Sequence, residues 1–157
     1  MGERFPLSLS AVNVVCFKLD WDEKALKVLL IKRNITPHKN KWSLPGGFVQ
    51  GDEKLEEAAV RILGKETRIS PKYINQFRTY SDTGRDKRPV NGEKVRVITT
   101  SFIAIYTSSE DPVLTEESSD YEWFKVPRRY IQRSIPPLAF DHDQILLSLI
   151  HISEPTR

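Results

Sequence analysis

Two adjacent glycines, Gly46 and Gly47, run through Phe48, Val49, Gln50, Gly51 and Asp52 to Glu53, and a stretch of helical periodicity follows. Paired glycines let the backbone take positive φ and come close to a ligand, because no Cβ stands in the way. A glycine turn that opens a helix also aims free N–H groups, and the positive end of the helix dipole, at an anion. The same pattern serves equally as a plain turn, so the charged residues that follow decide its meaning. They are Glu53, Arg61, Lys65 and Glu66, and Glu57, one helical turn back, is a candidate partner for Arg61.

The elements that must position these residues are readable from periodicity. Residues 8–19 and 27–33 are β-branched, partly alternating runs, and the polar Asp20-Trp21-Asp22-Glu23-Lys24 between them suits a hairpin turn. A short segment, Trp42-Ser43-Leu44, leads into Pro45 and the glycines. From about Lys54 to Thr67 the apolar residues Leu55, Ala58, Ala59, Ile62 and Leu63 recur at three- and four-residue spacing, which predicts a helix. Strands are expected at 73–80, 94–106 and 121–124, with polar loops at 81–93 and before Tyr121. A final helix is expected over 141–152, with Asp141 as its N-cap. The order of sheet, helix, sheet, helix predicts an α+β fold with mixed strands.

From Gly47, five residues lead to Glu53 and seven more to Arg61. This register resembles the Nudix box, and the flanking Trp42-Ser43-Leu44-Pro45-Gly46-Gly47 and Leu55-Glu56-Glu57-Ala58-Ala59 fit the same family. The resemblance implies the Nudix fold, a mixed β-sheet sandwiched between α-helices, and a role for Arg61 in bracing Glu53. In that family three glutamates follow on the helix at the positions held here by Ile62, Lys65 and Glu66. Such carboxylates lie on one helical face and converge on a Mg²⁺ ion, a hard cation that takes oxygen ligands and a substrate phosphate. With Ile62 and Lys65 in two of the three places, only Glu66 and, weakly, Glu53 remain as metal ligands, and Mg²⁺ becomes the cofactor only if Glu93, Glu116 or Glu117 complete the set. The catalytic set Glu53, Arg61 and Glu66 is then expected to be vestigial. Arg68 also replaces the terminal glycine of the box, and Gly64 sits inside the helix, where glycine costs roughly 1 kcal/mol against alanine.

Two further segments narrow the resemblance. Thr79-Tyr80-Ser81-Asp82-Thr83-Gly84-Arg85-Asp86, ahead of a long strand, and Pro137-Leu138-Ala139-Phe140-Asp141-His142 are similar to the Nudix-related transcriptional regulators, the NrtR group. These join an ADP-ribose-sensing Nudix domain to a C-terminal winged helix that binds DNA. The resemblance implies a nucleoside diphosphate ligand such as ADP-ribose, held by Arg33, Gly46, Gly47, Phe48, Lys65 and Arg85, and a homodimer. The alternative is an active Mg²⁺-dependent ADP-ribose pyrophosphatase. Trp42, Phe48 and Tyr80 are candidates to stack on a base, and equally candidates for the core. His142, just past a helix cap, reads as structural.

Composition agrees with one such domain. The chain has 157 residues, 39% hydrophobic and 29% charged, and its 24 Lys and Arg against 21 Asp and Glu are not gathered into a basic run. That balance does not argue for nucleic acid but suits an anionic small ligand. Cys16 is the only cysteine, in an apolar run, so no internal disulfide exists and a cytoplasmic location is expected. No apolar run is long enough for a membrane span. Residues 1–150 are expected to form the Nudix domain. Residues 151–157 do not resemble the start of a winged helix, and are expected to be a foreign or truncated tail.

Overall fold

A computed structural model of the chain describes residues 6–108, 110–127 and 135–153. Ten elements follow one another: strands β1 (Ser8–Asp20), β2 (Ala25–Arg33), β3 (Trp42–Ser43) and β4 (Gly46–Phe48), helix α1 (Leu55–Thr67), strands β5 (Tyr73–Tyr80), β6 (Lys87–Val90), β7 (Glu93–Tyr106) and β8 (Ser118–Lys125), and helix α2 (His142–Ser153). α2 passes through the expected boundary at residue 150, and residues 154–157 lie outside the described residues.

The sheet is mixed, as expected. β1 runs parallel to β7 along its whole first part, from Ser8 beside Arg96 to Lys18 beside Tyr106, while the other pairings are antiparallel. The opposite edge of β1 is shared. Residues Phe17–Asp20 pair with β2, but Ala11–Asn13 pair with β4. Between those stretches β1 and β2 part, and the segment from β3 through Leu44 and Pro45 to β4 fills the fork, pinned by the Val14 N–H donating to Pro45 O at 2.9 Å.

Alternation along the strands sends side chains to two cores. Val12, Val14 and Cys16 of β1 join Phe102, Ala104 and Tyr106 of β7 under the apolar face of α1, contributed by Ala58, Ala59, Ile62 and Leu63. Val15, Val28, Leu30 and Leu44 face the other way, onto Ile145, Leu146 and Leu149 of α2. Burial pushes the Cys16 thiol up to about 12, so it is a packing residue rather than a reactive one.

Two expectations are corrected by this architecture. Gly46 and Gly47 form a strand rather than a turn; the glycines with positive φ are Gly51, Gly84 and Gly92. Close approach within the fold is what requires them, because a Cβ on Gly46 would lie 3.0 Å from Val12 O, and one on Gly47 would lie 3.2 Å from Ile62 Cδ1. α1 spans Leu55–Thr67, as its periodicity predicts, and Lys54 gives it no side-chain cap. The polar loop at 81–93 contains β6, joined to β7 through Asn91 and Gly92 at φ 50 and 81, the left-handed pair that a two-residue hairpin turn demands.

Candidate functional site

The fork in the sheet opens a cleft with two compartments. A small cavity of about 80 Å³ lies against β1 and the start of α2, with Asn13, Leu44, Arg85, Thr99, Phe140 and His142 in its wall. A broader one of about 300 Å³ lies against α1, where Arg61, Ile62, Lys65 and Glu66 meet Glu117 across the gap. Arg33, Gly46, Gly47, Phe48 and Glu66 border both, so the glycine strand is the ridge between them. The site residues expected from sequence are thus gathered in one cleft, apart from Glu53, which acts on it through Arg61, and Asp86 joins them.

Glu53 and Arg61 hold the loop that carries Phe48. Arg61 Nη2 and Nε donate to the two carboxylate oxygens of Glu53 at 2.6 and 2.9 Å, and Nη2 also reaches Phe48 O at 2.9 Å. The Gln50 N–H donates to the same carboxylate at 2.7 Å. The Arg61 guanidinium, with that amide behind it, holds the Glu53 carboxyl below the usual range. Arg61 therefore braces Glu53 and does not pair with Glu57.

The remainder of the helix face carries little that a cation would seek. Ile62 is a core residue against Gly47. Lys65 extends toward Glu117, with 3.8 Å between Nζ and Oε1. Glu66 is only 7% exposed, and burial, reinforced by the Glu117 carboxylate, pushes its carboxyl up to about 8 against the opposing pull of the Gly46 N–H, Arg33 and Lys65. Its Oε2 has no hydrogen-bond partner. Among the described residues no three acidic, histidine or cysteine side chains assemble into a metal site. Of the loop carboxylates named as substitutes, Glu117 reaches the cleft, whereas Glu116 does not line it and Glu93 is in the β6–β7 hairpin. With Glu53 engaged by Arg61 and a lysine beside the remaining carboxylates, the donor set does not fit Mg²⁺.

The smaller compartment is fixed from the α2 side. Arg85 forms a two-pronged pair with Asp141, Nε to Oδ2 at 2.6 Å and Nη2 to Oδ1 at 2.7 Å, and Nη1 donates to Thr99 Oγ1 and Val97 O. Asp141 holds the expected N-cap position of α2, its carbonyl accepting from the Ile145 N–H at 3.2 Å, but its carboxylate oxygens accept from Arg85. His142 accepts the Leu44 N–H on Nδ1 at 3.0 Å, which leaves its proton on Nε2, and burial drives its pKa down to about 3. It is a structural histidine, as expected. Arg33 donates from Nε to Pro37 O at 2.8 Å and lies 4.9 Å over the Phe140 ring.

Of the aromatic candidates, Phe48 borders the cleft and is 37% exposed, whereas Trp42 packs edge-on against Phe124 and Tyr80 rests on the second core. Sequence reasoning did not single out Asn13, Ser101 or Thr99. Their signal is polarity inside otherwise apolar strands: the sequence runs Val12-Asn13-Val14 on β1 and Thr99-Thr100-Ser101 before Phe102 on β7.

Comparisons with known proteins agree with this geometry. Residues 9–147 match the NUDIX domain model. The chain is 36% identical over 124 residues to the ADP-ribose pyrophosphatase of Methanocaldococcus jannaschii, covering 79% of this chain and 66% of that protein. It is 31% identical over 144 residues to the ADPR responsive transcriptional repressor NtrR of Acinetobacter baylyi, covering 90% of this chain and 53% of that protein, so it spans only part of either relative. The Nudix domain of Shewanella oneidensis NrtR, solved with ADP ribose, superposes with a TM-score of 0.77 at 30% identity, covering 96% of this chain and 91% of that one. The chain belongs to the Nudix family.

Proposed function

We propose that this Nudix domain binds a nucleoside diphosphate derivative such as ADP-ribose without hydrolysing it, as the effector-sensing part of a transcriptional regulator. The observation that carries the proposal is the fate of the helix positions that would hold the metal. Ile62 belongs to the core, Lys65 turns to Glu117, and Glu66 alone remains, buried. A ligand diphosphate across the glycine strand would meet the cations Arg33 and Lys65 instead of a bound metal. The likeness to a repressor and to an ADP-ribose complex supports the same ligand class. In this reading DNA is contacted only by a C-terminal domain of the regulator, and the Nudix domain pairs as a homodimer. The lone buried thiol suits a reducing cytoplasm.

The pyrophosphatase likeness keeps a second reading open, Mg²⁺-dependent hydrolysis of ADP-ribose, and Glu117 beside Glu66 is the feature that favours it. Binding is tested by thermal melting with and without ADP-ribose. At 100 times its dissociation constant a ligand adds about 2.7 kcal/mol, which in a domain of this size raises the midpoint by roughly 5–10 °C. An unchanged midpoint with both ADP-ribose and ADP would overturn the sensing role.

A further inference from the structure

The wall of the smaller cavity includes one member of a polar pair that packing does not require. Asn13 on β1 and Ser101 on β7 are register partners, 1% and 0% exposed, on the face of the sheet whose next residues, Val15 and Ile103, belong to the apolar core beneath α2. Ser101 Oγ donates to Asn13 Oδ1 at 2.6 Å. That bond fixes the amide so that its other end, Nδ2, is buried in the cavity wall with no partner. A buried donor left unmade is costly in an isolated domain, and a ligand oxygen placed there removes the cost. Thr99, on the same face, accepts from Arg85 Nη1 at 2.9 Å, so its hydroxyl proton is available as a second donor into the same space.

Size assigns the end of the ligand that reaches this wall. The smaller cavity, at about 80 Å³, is well below the roughly 300–1,000 Å³ of whole-ligand pockets, whereas the larger compartment, at about 300 Å³, reaches that range. The smaller cavity is therefore suited to a small, oxygen-rich end group, with the nucleoside in the larger compartment and the diphosphate across the ridge at Gly46 and Gly47. We infer that Asn13, oriented by Ser101, is a specificity-determining residue whose Nδ2 donates a hydrogen bond to a hydroxyl oxygen of the sugar carried on the distal phosphate. The inference rests on the proposed binding of a nucleoside diphosphate derivative in this cleft.

The test is calorimetric titration of the full chain with ADP-ribose and, separately, with ADP, which lacks the distal sugar. Asn13→Ala is expected to weaken ADP-ribose about tenfold or more, the equivalent of one hydrogen bond, and to leave ADP within about twofold. Asn13→Leu keeps the shape, buries no charge and removes the donor; it should lose at least as much, and it keeps the test on a folded protein if the void left by alanine unfolds that variant. Ser101→Ala frees the amide to rotate and should give a smaller, equally selective loss. Wild-type affinity for ADP-ribose in the Asn13 variants, or a proportional loss of ADP and ADP-ribose, would overturn the assignment. Failure of the unaltered protein to bind either compound would instead overturn the reading of the cleft itself.

Discussion

The α2 side of the cleft is closed by a two-pronged charge pair, while the α1 side, beyond its own Arg61–Glu53 pair, keeps a buried carboxylate with an unpartnered oxygen. Arg85 and Asp141 meet in a two-pronged pair, and His142 fixes Leu44 at the mouth of the glycine strand. Across the ridge, Glu66 keeps an oxygen without a partner, and the places beside it on α1 are held by a core isoleucine and a surface lysine. The difference separates two requirements that a hydrolase must satisfy together. Holding a ligand calls for a rigid, pre-arranged wall; cleaving it calls for metal-bound charge at the phosphate. In the proposed reading the first is met here and the second is not.

The largest expected effect comes from breaking the α2 side. Arg85→Ala leaves the partly buried Asp141 carboxylate, 12% exposed, without its cation, and losing hydrogen bonds to a charged group costs about 1.5–3 kcal/mol. Urea denaturation should show that loss, whereas Lys65→Ala on the α1 side, where the pair is exposed, should fall within about 1 kcal/mol. Equal losses for the two variants would dissolve the contrast.

His142 sharpens it through pH. Its folded pKa of about 3 lies below the ordinary value of 6.5, so between those values the unfolded chain takes up a proton that the folded one refuses. Its contribution is complete above pH 6.5 and is lost as pH falls through that window, at up to about 1.4 kcal/mol per pH unit. His142→Gln removes the titration while keeping an acceptor for the Leu44 N–H. The stability difference between wild type and variant should therefore shift toward the variant by about 2 kcal/mol between pH 7 and pH 5. A pH-independent difference would contradict the buried, neutral histidine.

The smallest effect is on the α1 side, where Arg68 occupies the left-handed cap position at φ 57 with its N–H donating to Gly64 O at 2.8 Å. Arg68→Gly relieves that conformation and should stabilise the protein by about 1 kcal/mol. Nucleotide affinity should not move, because residue 68 lies outside the cleft.

What was legible in the sequence divides along similar lines. α1, the paired long strands and the convergence of Glu53, Arg61, Glu66 and the glycines follow from periodicity and from the spacing of the box, because such patterns are local. The extended conformation of Gly46 and Gly47 was not legible, since it depends on Val12 and Ile62 reaching them from distant parts of the chain. The Asn91-Gly92 hairpin was a readable turn signal that a polar setting hid. Asp141 pairing with Arg85 and Asn13 with Ser101 are contacts made 56 and 88 residues apart, and no local pattern announces them.

The central claim is binding without turnover, and one assay addresses both halves: ADP-ribose is mixed with the protein and excess Mg²⁺, with occupancy followed by calorimetry and AMP release followed by chromatography on the same sample. The account predicts saturable binding, with AMP release no faster than in a protein-free control. Release of AMP at roughly 1 s⁻¹ or faster, an ordinary enzymatic rate, would contradict it and would mean that Glu66 and Glu117 hold a working metal after all.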